Sequence, residues 1–179
     1  FVFISMFIYL SNKNEMYFDR IMTETTRTLG ISSERDFFDS EHGVMFLTSM
    51  HIAKDNPIFG IGLKNYRVVC ADEKYSKISS LVVSERCSTH PHNYYMELLA
   101  ETGLLGFLLF ITLLFLLFKD LLKKYLRKKN NILLGLIITL FVIFWPLSFT
   151  FSLFTNFNII WISYFIALTY SISDKKFYA

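Results

Sequence analysis

Residues 98–118, LLAETGLLGFLLFITLLFLLF, form an apolar run with a single charge, Glu101. A helix needs roughly 20 apolar residues to cross the ~30 Å hydrocarbon core of a bilayer. The run meets that length, which places the chain among membrane proteins before any other residue is weighed. Further apolar runs lie at 132–154 and 159–172, and a short one, 1–10, opens the sequence. Composition agrees: mean hydropathy is +0.41, and 20 of the 179 residues are phenylalanine. The expected fold class is all-α: a polytopic helical membrane protein with a large external loop containing amphipathic helices.

Charge sets the expected orientation. Residues 119–131, KDLLKKYLRKKNN, carry Lys119, Lys123, Lys124, Arg127, Lys128 and Lys129 against one acid, Asp120. The tail, 174–179, carries Lys175 and Lys176. Basic short loops stay in the cytoplasm. Residues 98–118 and 132–154 are then spans, and 155–173 is a short external turn with a final span. Residues 11–97 form an external loop that bears the active-site motif. Residues 1–10 are too short to cross and read as the end of a truncated span, the chain being the C-terminal part of a larger polytopic protein. The net charge of +3 is a topology signal, and no nucleic-acid partner is expected.

Within the loop, helices are expected over Asn14–Thr28 and Gly43–Asp55. In the second, Phe46, Leu47, Met50 and Ala53 recur at helical spacing. Asn56-Pro57 stops it, because a residue before proline avoids the α region. A turn-rich segment with Gly60 and Gly62 follows, then irregular chain over 71–86. A new helix is expected from Pro91 or Asn93, running unbroken into the membrane at Leu98.

The cysteines, Cys70 and Cys87, both fall in the external loop. A disulfide closing a loop of roughly 17 residues is the simplest reading in an oxidising compartment, worth about 3 kcal/mol by chain entropy. Two free thiols, or a metal site of Cys87 with His90 and His92, are the alternatives. No strong zinc spacing is present.

Residues 60–65, GIGLKN, lack the third glycine of a dinucleotide fingerprint. They suit a tight turn that presents N–H groups to a phosphate beside Lys64 and Arg67, or a plain helix stop. Arg67 and Arg86 flank the cysteines, and guanidinium groups suit bidentate contact with a diphosphate. His90 and His92 stand just before an apolar run. An imidazole there suits general-base work at neutral pH, or is a polar residue at a helix start. Glu97 and Glu101 share one helix face. Glu101 is costly near lipid unless it faces protein or water, or else it marks the interface.

Two segments carry a family resemblance: KDNPIFGIGLKNYR at 54–67 and HPHNYYMELLAETGLLG at 90–106. The second fits a pattern of His-Asn, nine residues, then Gly-x-x-Gly: His92-Asn93, Tyr94 to Thr102, then Gly103 and Gly106. With the order of spans, the chain resembles the O-antigen ligase and polymerase family of bacterial inner-membrane proteins over roughly residues 36–172. The resemblance implies transfer of a glycan from an undecaprenyl-diphosphate carrier on the outer face of the inner membrane, the active-site loop being periplasmic. The acceptor is lipid A-core for a ligase, another carrier-linked glycan for a polymerase, and a protein side chain for a protein O-oligosaccharyltransferase. Ligase is the expected activity. His92 inherits the role of assisting the acceptor hydroxyl. Arginines hold the diphosphate in the family, and His42 stands where many members have one. Arg67, Arg86, Lys64, His90, Asn93 and His42 are the substrate-binding candidates. No metal and no cofactor are expected, and the partners are the lipid-linked donor, the acceptor and membrane lipid. A transporter built around Pro146, Ser148 and Thr150, or a non-catalytic assembly protein, is the competing class.

Overall fold

The computed structural model describes residues 37–174, together with Met22, Thr23 and Thr26. The opening apolar run, most of the helix expected over Asn14–Thr28, and the basic tail beyond Asp174 lie outside the described residues. Among the described residues all regular structure is helical. The helices are α1 (Glu41–Asp55), α2 (Tyr66–Val69), α3 (Tyr94–Lys128), α4 (Asn131–Ile143) and α5 (Asn156–Asp174). Short 3-10 turns at Phe37–Asp39, Glu73–Lys77 and Val83–Glu85 occupy the segment around and after α1.

Helix α1 starts where Ser40 accepts a hydrogen bond from the Gly43 N–H at 3.0 Å. It ends at Asn56, ahead of Pro57. It packs on the first turns of α3. Ile52 of α1, Tyr66, Cys70, Tyr75, Ile78 and Ala100 of α3 form a small core between them. The Tyr66 ring is fully buried, and its hydroxyl donates to the Arg86 carbonyl at 2.8 Å.

Helix α3 is the spine. Its 35 residues include the one helix long and apolar enough to cross a membrane among the described residues. Only 6% of its most apolar stretch is buried, and Leu105, Leu109, Leu113 and Phe115 are exposed. A helix apolar on all sides that is not covered by protein fits a lipid environment. The expected unbroken helix is not what forms: Gly103 has φ 65° and ψ −168°, and the axis kinks there. The part after Gly103 still measures about 37 Å at 1.5 Å per residue. Helices α4 and α5 pack on each other and on this part, around Leu121, Leu133, Leu140 and Ile162. The helical portion of the 132–154 run ends at Ile143. Pro146 lacks an N–H and disfavours helix before it, so residues 145–155 turn back over the start of α3.

Candidate active site

The two segments that carry the family resemblance form one unit. A helix broken at Gly103 cannot bond the Leu104 and Leu105 N–H groups to the carbonyls of Ala100 and Glu101. Those N–H groups donate instead to Pro57 O at 2.8 Å and Ile58 O at 3.3 Å. The vacated carbonyls accept from Ile61 N at 3.1 Å and Gly62 N at 2.9 Å. Two rungs of the helix are thus replaced by four bonds to the 57–62 loop. The approach is close enough that a Cβ on Gly60 would run into the backbone of Glu101 and Gly103, and one on Gly103 into Ile58. The φ/ψ of Gly103 is also open almost only to glycine.

Both acids on this part of α3 are buried, each 1% exposed. Glu101 Oε2 accepts from the Lys64 N–H at 2.6 Å and Oε1 from the Tyr66 N–H at 3.1 Å. Glu97 Oε1 accepts from Ser152 Oγ at 2.5 Å and Oε2 from the Leu153 N–H at 2.7 Å. Asn93 caps α3: its Oδ1 accepts from Tyr95 N and Met96 N at 3.0 and 3.2 Å. Its Nδ2 donates to Pro146 O at 2.8 Å and Ser148 O at 3.2 Å. The amide of Asn93, expected among the substrate ligands, is committed to holding the 145–155 turn.

Three imidazoles cluster beside this turn. The rings of His90 and His92 are 4.2 Å apart, and those of His42 and His92 are 5.4 Å apart. His42 stacks on Phe149 at 4.0 Å, with its Nδ1 buried and without a partner. His90 is held at both nitrogens. Nε2 lies 3.1 Å from the Thr150 carbonyl, which can only accept, so Nε2 carries the proton. Nδ1 then accepts from Thr89 Oγ1 at 2.9 Å. The His92 ring pairs through Nε2 with Ser88 Oγ at 3.2 Å, and the Thr150 backbone also bears on its charge. The His92 backbone has φ 55°, left-handed, and is fixed by the Thr150 N–H donating to His92 O at 2.7 Å. A non-glycine residue held there costs roughly 1–3 kcal/mol, and such strain gathers at functional sites. Burial pushes the pKa of all three rings down. The charge of His90 lowers His92 further, and that of His92 lowers His42. All three are therefore neutral at pH 7.

An open cleft of about 480 Å³ lies over this region. Three segments line it: Lys64 and Arg67 of the loop before and within α2, Thr89 and His90 ahead of α3, and Phe151, Ser152, Thr155 and Phe157 of the 145–155 turn and the start of α5. The structure joins Cys70 to Cys87, with Cα atoms 5.4 Å apart. The bridge does not bring Arg86 to the cleft. Its Nε donates to Cys70 O at 2.9 Å, and its other nitrogens reach Val83 O and Ala71 O at 3.2 and 3.5 Å. Arg86 braces the disulfide loop, while Arg67 is exposed, with Nε on Lys64 O at 3.1 Å. Among the described residues no group of three His, Cys, Asp or Glu side chains is placed to hold a metal ion.

Sequence reasoning expected Arg67 and Arg86 to gather with His90 and His92; of these, the cleft takes Arg67 and His90, with His92 against His90, while Arg86 stays on the disulfide loop. It missed the 145–155 turn, whose signal was Glu97, an acid that needs polar partners beside an apolar run.

This is a helical membrane scaffold with a cleft, lined by aromatic side chains together with cationic and hydroxyl groups, at the point where the chain enters its apolar helix. The family model described as O-antigen ligase matches residues 1–111. The chain belongs to that family, whose members carry out O-antigen ligase- or polymerase-type transfer of lipid-linked glycans. The match takes in both motifs and the kink at Gly103, and leaves α4, the 145–155 turn and α5 outside. No curated protein and no solved structure matches the chain.

Proposed function

We propose that the chain transfers a glycan from an undecaprenyl-diphosphate carrier to an acceptor hydroxyl at the outer face of the bacterial inner membrane, as an O-antigen ligase acting on lipid A-core. The observation that carries this reading is the cleft that Lys64 and Arg67 line together with His90, Thr155 and the exposed rings of Phe151 and Phe157, with His92 against His90. Lys64 and Arg67 hold the diphosphate. His92, its pKa pushed down by burial toward the base form, takes the proton of the acceptor hydroxyl. The acceptor oxygen bonds to the anomeric carbon as its bond to phosphate breaks, and undecaprenyl diphosphate leaves with the electron pair. No step of this scheme draws on a metal.

The topology that goes with it has residues 11–97 and the 155–158 turn outside, and the 119–131 loop and the tail in the cytoplasm. The apolar helices α3, α4 and α5 lie in the membrane, with the 145–155 turn returning between α4 and α5 to the start of α3. Polymerase or protein O-oligosaccharyltransferase activity uses the same cleft with another acceptor. Complementation by the full-length gene decides among them, in strains lacking the ligase, the polymerase or the protein transferase. Restored long-chain lipopolysaccharide in the ligase-deficient strain supports the ligase. Longer carrier-linked ladders, or a glycosylated protein, move the assignment to one of the others. Transfer in purified form that stops with chelator overturns the metal-free scheme.

A further inference from the structure

Burying a carboxylate beside an apolar helix is costly unless both oxygens are satisfied. Glu97 and Glu101 are satisfied, yet by neither their own helix nor each other. Four residues apart, they lie one above the other on the same helix face. Each gives one oxygen to each of two donors. Both donors to Glu101, the Lys64 and Tyr66 N–H groups, belong to the segment that carries Lys64 and Arg67. Both donors to Glu97, Ser152 Oγ and the Leu153 N–H, belong to the turn that carries Phe151, Ser152 and Thr155. Both segments line the cleft. They lie far apart in sequence, and this pair of acids hangs both from one rigid helix.

We propose that Glu97 and Glu101 are positioning residues that set the two walls of the cleft, Glu101 for a phosphate-binding wall and Glu97 for a sugar-binding wall. The wall held by Glu101 presents cations to a diphosphate. The wall held by Glu97 presents the side chains of Phe151 and Phe157, 71% and 72% exposed, beside the exposed Thr155 hydroxyl, while the buried Ser152 hydroxyl is taken up by Glu97. Aromatic rings next to a hydroxyl suit the apolar face and hydroxyl edge of a sugar ring. Glu97 has a second reach. Its turn also holds the His92 carbonyl through the Thr150 N–H, so this wall is tied to the general base, and the other is not. The division of labour rests on the proposed transfer reaction for its sugar half and on charge alone for its phosphate half.

The test uses Glu101→Gln and Glu97→Gln in the full-length protein in detergent, with Leu121→Ala as control. Leu121 is fully buried in the helical core away from the cleft. Binding of inorganic pyrophosphate is measured without any glycan, and transfer from a synthetic undecaprenyl-diphosphate glycan is measured separately. Glutamine keeps one acceptor oxygen and loses the charge, so one charge-assisted hydrogen bond goes, worth on the order of tenfold. Glu101→Gln is expected to weaken pyrophosphate binding and raise the donor KM by about that factor, with kcat nearly unchanged. Glu97→Gln is expected to leave pyrophosphate binding alone and lower kcat. The proposal is overturned if both variants change pyrophosphate binding alike, if neither does, or if the unaltered protein binds no pyrophosphate. It is overturned too if Leu121→Ala, at equal loss of thermal stability, gives the same shifts. Pyrophosphate binding that responds as expected in a protein that transfers no glycan upholds the phosphate wall and overturns the reaction assignment.

Discussion

His92 and His90 are two positions apart and differ in what their rings are free to do. His90 is bonded at both nitrogens, so accepting a proton there means giving up the Thr89 contact. His92 has Ser88 Oγ on its Nε2. His92→Ala is expected to cost on the order of 10²–10⁴-fold in transfer rate, with His90→Ala milder and partly due to the loss of the Thr150 contact. The lowered pKa of His92 fixes the sign of the pH dependence. A ring whose pKa lies below the usual ~6.5 stays in its base form to lower pH. The acid limb of kcat/KM should therefore have its midpoint below ~6.5, and a midpoint above it would speak against this assignment. The same three depressed imidazoles make the folded state resist protonation. Stability is full above ~6.5, where folded and unfolded rings are alike neutral, and falls as pH drops below that value, because the unfolded chain binds protons first. The proposal of His92 as the base starts from the His-Asn spacing, which is legible in the sequence. The left-handed backbone of His92 is not, because the Thr150 N–H that fixes it lies far along the chain.

The pairing of the 57–62 loop with α3 explains why two glycine-bearing motifs occur in one chain. Gly60 and Gly103 are opposite faces of the same contact, so they should behave as one site. Gly103→Ala meets an unfavourable backbone conformation, costing on the order of 1–3 kcal/mol, and a collision with Ile58. Gly60→Ala meets the backbone of Glu101 and Gly103. Each should lower the midpoint of thermal unfolding in detergent, and the double variant should lose less than the two losses added, because the second change acts on a contact already opened. Strict additivity would mean that the loop and the helix are not coupled. The start of α3 was legible from Asn93 as a cap, and the stop of α1 from Asn56-Pro57. The break at Gly103 was not, because a glycine within a long apolar run reads equally well as a tolerated helical residue. What decides it is the loop whose N–H groups replace the missing rungs.

The arrangement of the chain across the bilayer rests on charge. Lys124 sits between Asp120 and Asp174, at 3.3 and 2.9 Å, and the remaining bases around it keep the loop positive. With the native cysteines replaced, a cysteine at position 124 should resist membrane-impermeant thiol reagents in intact cells. One at position 79 should label once the outer barrier is permeabilised. The reverse pattern would put the cleft on the cytoplasmic side, away from the proposed acceptor. The helical class and the long apolar span were legible from composition and run length. The turn over 145–155 was hidden inside what reads as a single span of 132–154, and only Pro146 hinted that the helix stops early.

The cleft's two sides also differ in when they come into being. Translation runs from the N-terminus at about 5–20 residues per second. The glycine loop has left the ribosome before the helix it completes, so the gap in that helix has its partners waiting as soon as it forms. The cationic side and its carboxylate anchor are then in place while the opposite side is still unsynthesised. That side arrives only after the chain has passed the basic loop and folded α4 back toward α3. On the proposed reading, a nascent chain thus carries the cationic side before the turn over 145–155 has been made, and gains the opposite side, together with the clamp on His92, once α4 and α5 follow.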